Sequence, residues 1–285
     1  MKTRFIQIIL AVSVLALLSS IGLLVSCGGD SNSGGSNDGA HGSARFSLYM
    51  IDAPVVDADE INITINSVSV NGPDGWVDLT VTPHRYNLLK LMNNAGVTLA
   101  DQDLPNGDYG EIRLVIECEG DQAPEIVIDG VSFPLKVPSG CTSGLKLKGE
   151  FSMAAGHKTV LIMDFDMQKS VHETGNGKYM LNPVVRFIQA DAAGNITAEV
   201  MPVVPRTILY AFRAGAFTGD NFDDAEDLTI IREDGSLTLA ALPAGNYDVV
   251  AVAVGYKSAV YAEGIAVEAG NDTALENPIE LTPGS

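Results

Sequence analysis

From Ala44 onward the apolar residues come in short alternating runs closed by Gly, Pro, Asn or Asp, the period-two pattern of half-buried strands. Residues 60–66 alternate without a break and put Ile61, Ile63 and Ile65 on one face. Val68 and Val70 continue in the opposite phase. A one-residue slip flips the buried face, so the pattern predicts a β-bulge near Asn66-Ser67 or a change of partner strand there. Asn71-Gly72-Pro73-Asp74-Gly75 reads as a turn, and Trp76-Val77-Asp78-Leu79 restarts a strand. Ile112, Leu114 and Ile116 define another buried face, on which Cys118 also falls. Residues 126–128 and 131–137 flank Asp129-Gly130, a two-residue hairpin pair suited to positive φ. Leu161, Met163, Phe165 and Met167 alternate, and 180–188 supply a final strand; only 87–93 offers a helical turn or two. Residues 44–190 therefore read as one all-β domain of sandwich or barrel type.

A second domain, 194–285, follows the turn Asp191-Ala192-Ala193-Gly194-Asn195. Its candidate strands are 196–200, 207–213, 228–232, 236–239, 247–254, 259–267 and 274–281, the spacing of a seven-stranded Greek-key sandwich. The expected fold class is all-β, with two β-sandwiches in tandem. A local pattern recurs in both: Leu104-Pro105-Asn106-Gly107-Asp108-Tyr109 and Leu242-Pro243-Ala244-Gly245-Asn246-Tyr247. Pro sets the turn's φ, Gly supplies an αL residue, and Tyr closes onto the sandwich edge.

The start of the chain has a different pattern. Lys2 and Arg4 precede an uncharged apolar run from residue 5 to 24, and Leu24-Val25-Ser26-Cys27 follows. The layout is that of a secretory signal over residues 1–26. The last four residues resemble the bacterial lipobox, which implies a lipid on Cys27 and a membrane partner through that anchor; the competing reading is an uncleaved anchor helix. With Gly28 next, the resemblance favours the outer membrane or cell surface where an organism has two membranes. Residues 27–43, rich in Gly, Ser, Asn and Asp, read as a disordered tether.

The full sequence carries formal charge -19, and residues 1–26 hold two of its cations and no acid. So acidic a surface repels phosphate backbones, which argues against nucleic-acid partners. Of three cysteines, Cys118 and Cys141 remain after Cys27, and in an oxidising compartment such a pair is expected to form a structural disulfide.

Residues 44–190 resemble a family of bacterial lipoprotein domains known only as a domain of unknown function, DUF4382. The resemblance runs through Ile51-Asp52-Ala53-Pro54, Gly75-Trp76-Val77, Asn87-Leu88-Leu89, Val137-Pro138-Ser139-Gly140 and Gly144-Leu145-Lys146-Leu147. It continues in Asp164-Phe165-Asp166 and Asn182-Pro183-Val184-Val185-Arg186, and it implies no activity. Residues 194–281 resemble carboxypeptidase-regulatory-like, prealbumin-like sandwiches, carried by Asp234-Gly235-Ser236-Leu237-Thr238-Leu239, the second Leu-Pro-x-Gly-x-Tyr pattern and Gly255-Tyr256. That resemblance implies a spacer or accessory role and a shape shared with some starch-binding modules. Some such domains join a first-strand lysine to a last-strand asparagine. Here no lysine occurs from 194 to 256, which leaves Asn271 and Asn277 without that partner.

No G-x-S-x-G, H-E-x-x-H, P-loop or dinucleotide motif is present. His41, His84, His157 and His172 are scattered and read as loop histidines. Asp164 and Asp166 point the same way on a strand, about 7 Å apart by the strand rise. As a pair they would suit hydrolysis or cation binding. Period-two alternation by itself predicts Phe165 and Met167 in the core and both acids in water, with Lys169 or Arg186 as counter-charges. Asp52, Asp57, Asp59 and Glu60 crowd one loop and Asp220, Asp223, Asp224, Glu226 and Asp227 another. These are hard ligands for Ca²⁺, in neither case in EF-hand order. Otherwise no cofactor is expected. Trp76, the single tryptophan, is read as a core cover and, in the alternative, as a surface on which a glycan stacks.

The expectation is an envelope protein and not an enzyme: a non-catalytic binding or structural accessory module, its partner a glycan or another envelope protein. The alternatives are a carbohydrate-binding surface lipoprotein and a hydrolase using Asp164 and Asp166. A concave patch bearing Trp76 or exposed tyrosines would favour binding over a passive spacer.

Overall fold

The computed structural model describes residues 42–53, 58–219 and 221–284. The signal segment, Cys27, the tether through His41, Asp57 and Asp220 lie outside the described residues, and the last residue of the expected tether, Ser43, instead opens a strand. The chain begins with β1 (Ser43–Ala53), β2 (Glu60–Gly72), β3 (Gly75–Leu79), β4 (His84–Asn87), β5 (Val97–Pro105) and β6 (Gly107–Ile116). It continues through β7 (Glu125–Ile128), β8 (Val131–Lys136), β9 (Leu145–Met153) and β10 (Thr159–Asp166). A one-turn helix α1 (Met167–Ser170) then leads to β11 (Val171–Thr174), β12 (Lys178–Leu181) and β13 (Val185–Gln189).

These strands make two sheets. One has the order β13-β10-β1-β5, with β1 and β10 parallel; the other runs β11-β12-β8-β7-β2-β6-β9, with β3 and β4 also on β2. Their inner faces share one core: Phe46, Leu48 and Met50 from β1, Leu161, Met163 and Phe165 from β10, and the β2 and β6 residues opposite. Both devices predicted for the phase change in β2 occur. The β2–β6 register shifts between Ile65 and Ser67, and β2 pairs first with β4 and β7, then with β3 and β6. The bulge turns Val68 and Val70 back to the face of Ile61, Ile63 and Ile65, and all five are buried.

The single strand expected over 180–188 does not form. Proline has no N–H for a ladder, and the chain changes sheet at Asn182-Pro183, β12 ending in one sheet and β13 starting in the other.

The second sandwich holds β14 (Ala193–Met201), β15 (Ile208–Arg213), β16 (Asp227–Ile230), β17 (Ser236–Pro243) and β18 (Gly245–Val252). It closes with β19 (Ala259–Val267), β20 (Asp272–Ala274) and β21 (Ile279–Glu280). Sheet β17-β14-β20, with β21 also on β14, faces sheet β16-β15-β18-β19. The recurring turn pattern builds the same contact in both sandwiches: the Tyr109 hydroxyl donates to Pro105 O at 2.8 Å and the Tyr247 hydroxyl to Pro243 O at 2.5 Å. Gly107 and Gly245 sit at φ +137° and +155°, positive-φ extended backbone and not the αL geometry expected.

No linker separates the sandwiches; a 3₁₀ turn over Ala190–Ala192 runs straight into β14. The reason lies in strands that are apolar on both faces, which must be covered on both. In β15, Leu209 and Ala211 enter the second core, while Ile208, Tyr210 and Phe212 pack with Ala53 of β1. Ile51 of β1 likewise meets Ala193, Ala240 and Ala241.

Candidate functional site

Strand alternation sends Asp164 and Asp166 of β10 away from the first core, on the side opposite Phe165. They meet the second sandwich there, so the expectation that both face water is corrected. Asp164 is buried among residues of the junction. Arg186, its register partner on β13, donates from Nη2 to Asp164 Oδ2 at 2.5 Å. From its place beside Asp164 in the first sandwich, the same guanidinium crosses the junction, reaching Ala240 O at 3.5 Å and lying 3.9 Å from Glu226 Oε2. Asp166 caps α1: Oδ1 accepts the Lys169 amide and Oδ2 pairs with Lys169 Nζ, each at 3.0 Å. Both counter-charges named from the sequence are therefore in use.

Across the junction, Asp227 of β16 is buried and accepts the Ala240 amide at 2.8 Å. Glu226 accepts Arg213 Nε at 3.0 Å. These groups border a cavity of about 220 Å³, which Gln168 and Phe222 also line. Burial pushes the Asp227 carboxyl well above the usual range, and the neighbouring Asp164 charge adds to the shift. Burial also raises Asp164, opposed by Arg186. Arg186 is held above its ordinary value: burial opposes that shift, and the carboxylates, led by Asp164, outweigh it. The arrangement is a counter-ion clamp. Each acid of the pair is engaged by a cation, Asp164 through Oδ2 and Asp166 through Lys169, while Asp164 Oδ1 is buried with no hydrogen-bond partner.

Of the four acids proposed for calcium, Asp57 lies outside the described residues and the other three are not set around one site. Asp52 ends β1 on the face of Met50, buried, with neither oxygen hydrogen-bonded. Burial raises it well above the usual range, Asp164 adding to the effect. Asp59 Oδ2 instead accepts the Gly130 amide at 3.0 Å, and Glu60 Oε2 accepts Asn62 Nδ2 at 2.9 Å. In the second acidic loop Asn221 engages Asp223 and Asp224. Among the described residues no group of three or more His, Cys, Asp or Glu is set to hold a metal. His84 lies edge-on to Tyr86.

Cys118 and Cys141 are bonded, their Cα atoms 5.6 Å apart. Trp76 does not cover the core: it is 40% exposed, and the Arg113 guanidinium lies over its ring at 3.9 Å. The concave apolar patch of the first sandwich bears Tyr179 instead, beside the disulfide. The junction and this groove were both missed in the sequence. Unbroken apolar runs at 48–51 and 208–212 signalled the first, since a strand apolar on both faces needs two covers.

Residues 43–183 match the profile of a family described as a domain of unknown function (DUF4382). No curated protein matches the chain. Among solved structures it is similar to the Bacillus anthracis TIE protein, at 13% identity and TM-score 0.24 over 84% of this chain. It spans 34% of that protein. It is also similar to GBS52, the minor pilin of Streptococcus agalactiae, at 10% identity and TM-score 0.25, covering 84% of this chain and 97% of that one. A third is BcpA, the major pilin subunit of Bacillus cereus, at 8% identity and TM-score 0.22, covering 85% and 71%. Among the described residues no helix is long and apolar enough to cross a membrane.

Proposed function

We propose that the chain is an exported, lipid-anchored envelope protein whose two sandwiches act as one rigid, non-catalytic accessory module. The observation that carries this reading is the use made of Asp164 and Asp166. Acid–base or nucleophilic work needs a carboxylate free to move a proton or attack beside a bound substrate. Here Arg186 holds one acid and Lys169 the other, and the cavity they border lies between two packed sandwiches.

The Cys118–Cys141 bridge supports folding in an oxidising compartment. The lipobox-like Leu24-Val25-Ser26-Cys27 supports a lipid on Cys27, with the outer membrane or cell surface as its place where two membranes exist. Radiolabelled palmitate tests the anchor: the wild type takes up label and Cys27→Ala does not. Equal labelling of both proteins contradicts it.

A second reading, glycan binding on the outer sheet face, draws on the exposed Trp76 ring. Because Trp76 is the single tryptophan, a change in its fluorescence on titration with soluble glycans would support that reading.

A further inference from the structure

The apolar groove beside the disulfide has a volume of about 780 Å³, inside the roughly 300–1,000 Å³ range of small-ligand sites. It opens where β8 and β12 pair over only two positions, Leu135 with Tyr179 and Lys136 with Met180. Phe133 and Tyr179, their rings 5.5 Å apart, are half-buried against the first core and are among the residues that line the groove. One wall is the turn from Val137 to Cys141. The disulfide ties this turn to the end of β6, and Gly140 O accepts the Ile116 amide at 3.0 Å.

The charge of the groove is the reverse of the protein's. The chain has 36 acids against 17 Lys and Arg, yet the groove is lined by Lys136 and Lys178 and by no acid. Both lysines are exposed, and neither pairs with a carboxylate among the described residues. An apolar trough with two unneutralised ammonium groups complements a ligand with a long apolar body and one anionic end. In so acidic a molecule it is also a place where such an anion meets local attraction instead of repulsion.

We propose that this groove binds a long-chain fatty acid, its alkyl chain along Phe133, Val137 and Tyr179 and its carboxylate at Lys136 and Lys178. The proposal deepens the accessory-module reading by naming a ligand, and it does not depend on the lipid anchor. Glycan, peptide and a second copy of the chain are the competing occupants.

The test uses the full chain in phosphatidylcholine nanodiscs with a diazirine-bearing palmitic acid. Photolabelling is mapped by peptide mass spectrometry. Label is expected in the peptides carrying Phe133–Ser139 and Lys178–Met180. The double variant Lys136→Glu/Lys178→Glu should lose about tenfold in labelling, since it reverses the charges facing the carboxylate. The corresponding diazirine alcohol should label wild type and variant alike, which separates headgroup recognition from partition into lipid. Because both lysines are exposed, the variant should keep the wild-type circular dichroism. Label spread over other segments, equal labelling of variant and wild type by the acid, or a groove shielded by cross-linked dimers would each overturn the proposal. These outcomes leave the non-catalytic reading standing, because that reading rests on Asp164 and Arg186.

Discussion

Asn93 of the first sandwich accepts the Thr238 amide of the second at 2.7 Å on its side-chain oxygen. The same side chain donates to Ile230 O at 2.8 Å, and the Asn93 carbonyl accepts Arg232 Nη2 at 2.8 Å. Asn93 is buried in the left-handed region, φ +57°, which asparagine tolerates better than most residues. One residue thus bonds β16, β17 and the turn between them. Asn93→Gly keeps the backbone conformation and removes the side-chain bonds. It should destabilise the chain by about 1–3 kcal/mol in urea unfolding, two half-buried partners losing their bonds. A loss below about 0.5 kcal/mol, the ordinary range for surface changes, would show that the contact does not hold the sandwiches together.

The paired tyrosines predict equal effects in the two sandwiches. Tyr109→Phe and Tyr247→Phe each remove one hydroxyl bond to a proline carbonyl, at a cost of about 1 kcal/mol apiece. Burial pushes the Tyr247 hydroxyl up to about 12, so in an ultraviolet titration the signal lost in Tyr247→Phe should lie well above the ordinary tyrosine range. Loss of a signal near 10 in that variant would contradict the buried corner.

Three buried acids set a pH dependence. Asp52, Asp164 and Asp227 are held above the usual carboxylate range, burial being the largest cause in each. Such groups bind more protons folded than unfolded. Their contribution to stability is therefore complete below the ordinary carboxylate pKa and falls as pH rises through the folded values. Asp101, Glu117, Glu125 and Asp234, held low by their partners, act in the opposite sense and only on the acid side of the ordinary range. The urea midpoint should accordingly be lower at pH 8 than at pH 5. Asp52→Asn removes the charge that has no partner and should raise stability at pH 8 by about 1–3 kcal/mol. A variant with the wild-type pH profile would remove Asp52 as the source.

The disulfide closes residues 118 to 141, a sequence separation of 23. In the chain-entropy model a loop of that size is worth about 3 kcal/mol. Reduction should lower the unfolding free energy by that amount and expose the 137–141 turn to hydrogen exchange. Unchanged exchange in the reduced protein would mean that the turn is held by packing alone.

Much of the strand order follows from local pattern. Alternation marks β2 and its bulge at Asn66, Asp129-Gly130 marks the β7–β8 hairpin, and six of the seven candidate segments of 194–285 become β14 to β19, while the seventh, 274–281, forms no single strand and gives way to the short β20 and β21. What local pattern does not carry is partnership across distance. The parallel pairing of β1 with β10 joins residues more than a hundred positions apart, and no turn announces it. The same limit hid the acid cluster. Alternation turns Asp164 and Asp166 away from Phe165, but it carries no sign that a second sandwich, and not solvent, covers the outward face of β10. Pro183 is the reverse case, a local signal sufficient to break 180–188 although it sits within an apolar run.

Hydrogen exchange combined with calorimetry of wild type and Arg186→Met tests the clamp most directly. In the wild type the two sandwiches should unfold in one transition. Removing the guanidinium leaves Asp164 buried and unpaired, which should cost about 3–5 kcal/mol. Exchange should then rise together in β10 and β13 on one side and in β16 and β17 on the other. Two independent transitions in the wild type, or faster exchange confined to β10 and β13, would contradict the reading of Asp164 and Arg186 as the structural clamp of a single rigid module.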